Sequence, residues 1–282
     1  MSDTVPLRLL GIGPQRTGST WLDRQLRRHP ELTLPAHVKE TFFFDARWPR
    51  GLDDYRRHFA SGGVPGARAP EAWAEVGPSY FDAPRAPARV AAAAPGAVAV
   101  AVLRDPVERA VSLWRHHLRK GRVPPDFWAA ARAIPSIVEA GDYARHLGRW
   151  RGALGAERVH VLVMEEALAD PAAALDAVTA WADLAPLAPA PEAEARVNAA
   201  GAPRWPLAAK AAAGAVGALH RARLHRVVAW GKRLGLDAVY SGARGPLPDL
   251  APEDRARLAD RYAPHVAHVE ALLGREPPWP LA

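Results

Sequence analysis

Short apolar runs along the chain are each followed by a segment with helical spacing. Leu7-Arg8-Leu9-Leu10-Gly11-Ile12-Gly13 reads as a buried strand, and Gly18 opens a segment with Trp21, Leu22 and Leu26 at helical spacing that stops before Pro30. A second apolar run, Ala97 to Leu103, precedes Asp105-Pro106-Val107-Glu108, where Asp can cap a helix, Pro can take its first position and Glu can close a capping box. The pattern recurs once more: Arg158 to Met164 is strand-like, and Asp170-Pro171 starts a helix with Leu175, Val178 and Trp181 on one face. Strand and helix in alternation predict an α/β fold, a central parallel sheet with helices on both faces. The stretches 61–70, 84–95 and 184–191 are rich in Gly, Pro and Ala and read as connectors with short helical pieces. From Trp205 onward the pattern is helical. The expectation is one domain over 1–282, with an α/β core to 204 and a helical part from 205.

Composition narrows the classes. With 282 residues, 49% of them hydrophobic, the chain can bury the core of a globular enzyme. A net charge of +7 points to an anionic ligand, yet the basic residues are scattered rather than clustered, which argues against a nucleic-acid partner. The absence of cysteine excludes disulfides, thiolate metal ligands and a cysteine nucleophile. The opening Met1 to Pro6 carries Asp3 and has no basic leader pattern. The longest apolar stretch, Ala208 to Leu219, contains Lys210 and is too short to span a bilayer. A cytoplasmic protein without a membrane partner is expected.

The chemistry concentrates in three places. Gly13-Pro14-Gln15-Arg16-Thr17-Gly18-Ser19-Thr20 sits where a strand becomes a helix, the place at which backbone N–H groups and the positive helix end bind an anion. The spacing approaches the Walker P-loop, but Ser19 stands at the lysine position and the cation has moved to Arg16. That departure argues against a metal-dependent triphosphatase or kinase. At the end of the second strand, Arg104 can pair bidentately with a phosphate while Ser112 offers a hydroxyl from the following helix. Glu40, in His37-Val38-Lys39-Glu40-Thr41-Phe42-Phe43-Phe44-Asp45, is a carboxylate able to take a proton. His265 and His268, three apart without further ligands, do not suggest a metal site.

These segments resemble the sulfotransferases that use 3′-phosphoadenosine-5′-phosphosulfate (PAPS). GPQRTGSTWL, Gly13 to Leu22, is similar to the family's 5′-phosphosulfate loop, and Arg104-Asp105-Pro106-Val107-Glu108-Arg109-Ala110-Val111-Ser112 matches its 3′-phosphate element R-D-P-x-x-R-x-x-S at every fixed position. The resemblance implies a three-layer fold like that of P-loop kinases, PAPS as donor, 3′-phosphoadenosine-5′-phosphate (PAP) as product and no metal. It assigns the donor to Gln15, Arg16, Thr17, Gly18, Ser19, Thr20 and Trp21 at the 5′ end, and to Arg104 and Ser112 at the 3′-phosphate. Arg204, in a loop (196–204) similar to the one that closes over the nucleotide, is a further candidate. Glu40 falls where the heparan-sulfate glucosaminyl sulfotransferases carry their general base in E-x-H-F-F-D. Arg16 replaces the family's lysine, implying electrostatic help rather than proton donation.

One further departure matters. Glu75-Val76-Gly77-Pro78-Ser79-Tyr80-Phe81 keeps the frame of the family's E-K-T-P-x-Y-F, but Val76 occupies the place of its lysine. Lys39 is the candidate replacement, although neighbours in an extended segment point to opposite faces, so Lys39 and Glu40 share a site only if the chain turns there. Glu75 and Tyr80 are expected to face the acceptor or to pack, and the three phenylalanines to pack the core or wall the pocket. The expected reaction moves a sulfuryl group onto a hydroxyl or amine of a small-molecule or carbohydrate acceptor. The rivals are a P-loop kinase and a non-catalytic anion-binding protein.

Overall fold

A computed structural model describes residues 3–60, 72–190 and 247–280. Five parallel strands form one sheet in the order β2-β3-β1-β4-β5: β1 (Leu7–Ile12), β2 (Leu32–Thr33), β3 (Ala72–Val76), β4 (Val98–Leu103) and β5 (Val159–Val163). The three strands read from the sequence are β1, β4 and β5. The two it did not reveal, β2 and β3, complete the sheet on the other side of β1.

The two faces of the sheet bury separate apolar layers, as period-2 alternation requires. Leu9, Val76, Val100 and Val102 face α1 (Ser19–Leu26) and, later in the chain, α8 (Met164–Ala169) and α9 (Pro171–Trp181). Leu10, Ile12, Ala99 and Leu103 face α3 (Ala86–Ala93), α7 (Tyr143–Leu154) and α10 (Pro252–Leu273). Leu7 and Leu9 take opposite faces because the register of β1 against β3 shifts between them. Seven further short helical segments complete the order among the described residues, including α2 (Leu52–Arg56), α5 (Phe127–Ala133) and α6 (Ser136–Glu139).

The helix after β4, α4 (Pro106–Arg119), starts as its sequence predicts, with Asp105 Oδ1 accepting from the amides of Val107 and Glu108 at 2.8 and 2.9 Å. Glu108 does not complete a capping box; it turns outward and accepts from Arg255 Nη1 at 2.6 Å. Gly121, at φ 61°, closes the helix. Arg109 is fully buried and gives its guanidinium to the carbonyls of Ser136 and Ile137, so it ties α4 to α6. Of the expected helical part from 205 onward, 205–246 lie outside the described residues; α10 spans 22 residues and packs on α7 and α4, with Tyr262 Oη donating to Val138 O.

Candidate functional site

The turn after β1 has the backbone that close approach of an anion requires. Gly13 (φ 120°) and Gly18 (φ 93°) lie in the left-handed region, and a Cβ would overlap the Val102 carbonyl oxygen at the first and the Met164 thioether at the second. Arg16 is also left-handed, at φ 77°, a conformation disfavoured for a residue with a Cβ and characteristic of functional turns. Its Nε donates to Ser112 Oγ at 3.1 Å, so the phosphate turn and α4 meet. Burial, then the charges of Arg119 and Arg104, push the Arg16 guanidinium below its ordinary value. It remains a cation, in a field where an arriving anion would relieve like-charge repulsion.

Arg104 leaves β4 at the carboxyl end of the sheet, where ligands of open α/β sheets bind. Two carboxylates flank it loosely, Glu165 Oε1 at 3.8 Å from Nε and Glu108 Oε2 at 4.0 Å from Nη2, both beyond hydrogen-bond length. The neighbouring backbone is held firmly: Tyr143 Oη donates to Arg104 O at 2.7 Å and Asp105 N donates to Glu165 Oε1 at 3.1 Å. His116, one turn after Ser112, lies in the field of Arg16; burial and the cations Lys120 and Arg16 depress its pKa to about 3.

Across the phosphate turn, a bend at Lys39 allows adjacent residues to serve one site. Lys39 Nζ donates to Ser19 Oγ at 2.8 Å, in the first turn of α1. Glu40 Oε1 accepts from the amide of Ser79 at 2.8 Å, just beyond β3. Burial lowers the pKa of Lys39 while the charge of Glu40 resists that shift, and burial raises the pKa of Glu40 against the Ser79 hydrogen bonds and the charge of Lys39. A carboxylate with a raised pKa beside a cation can remove a proton and stabilise developing negative charge.

Beneath Glu40 lies a fully buried network. Glu75 Oε1 accepts from Thr41 N at 2.6 Å and Tyr80 Oη at 3.0 Å, and its Oε2 accepts from Tyr55 Oη at 2.9 Å. Tyr80 Oη also accepts from Phe43 N at 2.9 Å. Desolvation raises the Glu75 pKa to about 7, against the hydrogen bonds from Thr41, Tyr55 and Tyr80 that favour the carboxylate. The network fixes the backbone on both sides of Phe42, which takes a left-handed φ of 56° and exposes its ring, whereas Phe43 and Phe44 are core.

A family model described as "Sulfotransferase domain" matches residues 7–186. The chain belongs to the sulfotransferase family. Among curated relatives, this sulfotransferase is 32% identical over 191 residues to the bifunctional heparan sulfate N-deacetylase/N-sulfotransferase 1 of Mus musculus, covering 61% of this chain and 21% of that protein. It is 28% identical over 212 residues to the Drosophila melanogaster bifunctional heparan sulfate N-deacetylase/N-sulfotransferase, covering 66% and 20%. The chain thus spans about a fifth of the length of the curated relatives it matches. A sulfotransferase from Alicyclobacillus acidocaldarius shares the fold, with a TM-score of 0.65, 22% identity and coverage of 96% of this chain and 97% of that one.

Within the sulfotransferase, the expected residues take different places. Arg16, Gly18, Ser19, Arg104 and Ser112 converge around the turn between β1 and α1, and Lys39 joins them. Thr17 is fully buried and spends its hydroxyl on Pro14 O at 2.8 Å, so only its backbone is available to a ligand. Gln15 is exposed and Thr20 half-buried on the same turn. Trp21 is 4% exposed and packs in the layer with Leu22 and Leu26. Glu75 and Tyr80 lie below the site rather than lining it. Val76 packs beside Leu22, so the slot of the family lysine is apolar. Arg204 lies outside the described residues. Sequence reading missed Ser79, whose amide and hydroxyl both act on Glu40 from a position 39 residues away, and Glu165, which follows β5 in a helix the pattern did not separate from the strand. Among the described residues no three His, Cys, Asp or Glu side chains are grouped to hold a metal, and His265 instead pairs with Asp142 at 3.4 Å. No helix among the described residues is long and apolar enough to cross a membrane.

Proposed function

We propose that this sulfotransferase moves a sulfuryl group from PAPS to a hydroxyl or amine of a small-molecule or carbohydrate acceptor and releases PAP. The observation that carries the reading is the bend at Lys39, which sets a cation on the phosphate turn and a base on the opposite wall within two consecutive residues. The turn fits a phosphosulfate: two left-handed glycines open the backbone, and Arg16, Lys39 and Ser19 surround the place where a bridging oxygen would gain charge. Arg104 and Ser112 receive the 3′-phosphate, the former with donors that its two flanking carboxylates leave unengaged. Glu40 accepts the acceptor proton as the new bond to sulfur forms and the bond from sulfur to the phosphate oxygen breaks; Arg16 and Lys39 stabilise the departing charge. No step calls on a metal. Because the relatives are named for heparan sulfate N-sulfotransfer, a glucosamine amine is the first acceptor to test.

The test is calorimetric titration of wild type and Arg104→Ala with PAP, and with ATP plus Mg²⁺. Metal-independent PAP binding, weakened about 10- to 100-fold by the substitution, is the expected result. Preference for ATP with Mg²⁺, or no binding of either, overturns the donor assignment.

A further inference from the structure

The segment after α10 reaches back to the phosphate side of the molecule. Trp279 is 6% exposed and donates from Nε1 to Glu165 Oε2 at 3.0 Å. The other oxygen of Glu165 accepts the Asp105 amide at 3.1 Å and stands 3.8 Å from Arg104 Nε. The ring of Trp279 packs on Tyr143, centroids 6.0 Å apart at 60°, and Tyr143 Oη holds the Arg104 carbonyl at 2.7 Å. The peptide unit joining Arg104 to Asp105 is thus held at its oxygen by one partner of Trp279 and at its nitrogen by the other.

We propose that Trp279 is a positioning residue for the 3′-phosphate site, acting through Glu165 and Tyr143 to keep Arg104 oriented and uncaptured. The inference rests on Arg104 as a phosphate ligand in the reading above. Glu165, once released, competes with a phosphate for Arg104. A carboxylate and a guanidinium left free to meet form a bidentate pair with N–O distances of about 2.8 Å, using the same fork of donors that a phosphate would use. Here the carboxylate is divided between an indole N–H and a backbone N–H, so it stops 3.8 Å away, near enough to orient Arg104 by charge without occupying its donors. Removing the indole N–H leaves Oε2 without that partner and frees the carboxylate to close on Arg104. The fold thereby acquires a reason to return its last described segment to the strand end 175 residues earlier.

Trp279→Phe deletes the N–H and keeps a ring against Tyr143. In PAP titrations it is expected to bind about fivefold more weakly than wild type, the equivalent of one hydrogen bond. The loss should vanish in a Glu165→Gln background, where no carboxylate remains to capture Arg104; a double-mutant cycle reads this coupling whatever Glu165→Gln alone does to affinity. A merely structural role lowers the melting temperature and leaves PAP affinity unchanged. Equal PAP affinity for Trp279→Phe and wild type, or the same fivefold loss in both backgrounds, overturns the proposal. If wild type itself does not bind PAP, the donor assignment fails instead. Should Trp279→Phe not fold, nitrogen-15 tryptophan labelling of wild type and Glu165→Gln supplies the measurement: one indole N–H signal, the one displaced by Glu165→Gln, is expected to shift on PAP saturation, and an unmoved signal overturns the coupling.

Discussion

The donor and acceptor sides of the site are built by opposite means. On the proposed donor side, strand, turn and helix follow one another within about twenty residues, and the cations are only partly engaged: among the described residues Arg104 has no hydrogen-bonded carboxylate, and Arg16 rests on the hydroxyl of Ser112. On the proposed acceptor side, the carboxylate of Glu40 depends on an amide 39 residues away, and beneath it a second carboxylate, Glu75, collects donors from residues 41, 55 and 80. A site for an anion needs loosely held positive groups, because the ligand supplies the missing partner. A general base must keep one orientation and a raised pKa before any ligand arrives, which requires burial and fixed neighbours.

The largest test of this contrast is Glu40→Gln. Loss of the base is expected to lower kcat by about 10²- to 10⁴-fold while PAP affinity stays within about twofold of wild type. Comparable loss of PAP binding would show that the two sides are not separable. Lys39→Met follows, since Lys39 belongs to both sides by contact with Ser19 and adjacency to Glu40. It is expected to lower kcat about 10- to 100-fold. Burial lowers the Lys39 pKa, so the ammonium is lost as pH rises, and the wild-type decline of kcat at alkaline pH should be absent in the variant. Unchanged turnover in Lys39→Met would leave the family's missing lysine without a substitute.

The same contrast explains what could be read along the chain. Asp105-Pro106 announces a helix start in consecutive residues, and the structure shows that cap in place. The turn from Gly13 to Thr20 is equally local. By contrast, β3 escapes a pattern search because it reads Ala-Trp-Ala-Glu-Val, with a carboxylate in the middle of the sheet. Glu75 is admissible there only because Thr41, Tyr55 and Tyr80 supply its donors, and nothing adjacent in sequence signals that. Arg109 depends on distant partners in the same way: its place in the helix leaves its role open, and it is fully buried because the carbonyls of α6 await it. Trp21 stands inside the glycine-rich motif and packs with the core. Motif membership identifies a segment; the direction of a side chain within it follows from packing.

The smallest effect, and the one that bears most directly on the acceptor side, is the pH dependence of stability. Glu75 has its folded-state pKa raised to about 7 from an ordinary 4.5, so between those values the native chain holds a proton that the unfolded chain has released. Its contribution is present in full below about 4.5 and is lost as pH rises through 7, amounting to at most about 3 kcal/mol. Glu75→Gln removes the titration and keeps the shape. The amide oxygen can still accept from Thr41 N and Tyr80 Oη, and the amide nitrogen can donate to Tyr55 Oη if that hydroxyl turns. The wild-type melting temperature is therefore expected to fall by several degrees more than that of Glu75→Gln between pH 5 and pH 8, read by thermal melts at intervals across the range. Parallel curves would mean that Glu75 is ionised throughout, its three donors outweighing desolvation. The acceptor side would then hold a permanent buried anion below Glu40, which would raise the pKa of the base by charge in addition to burial.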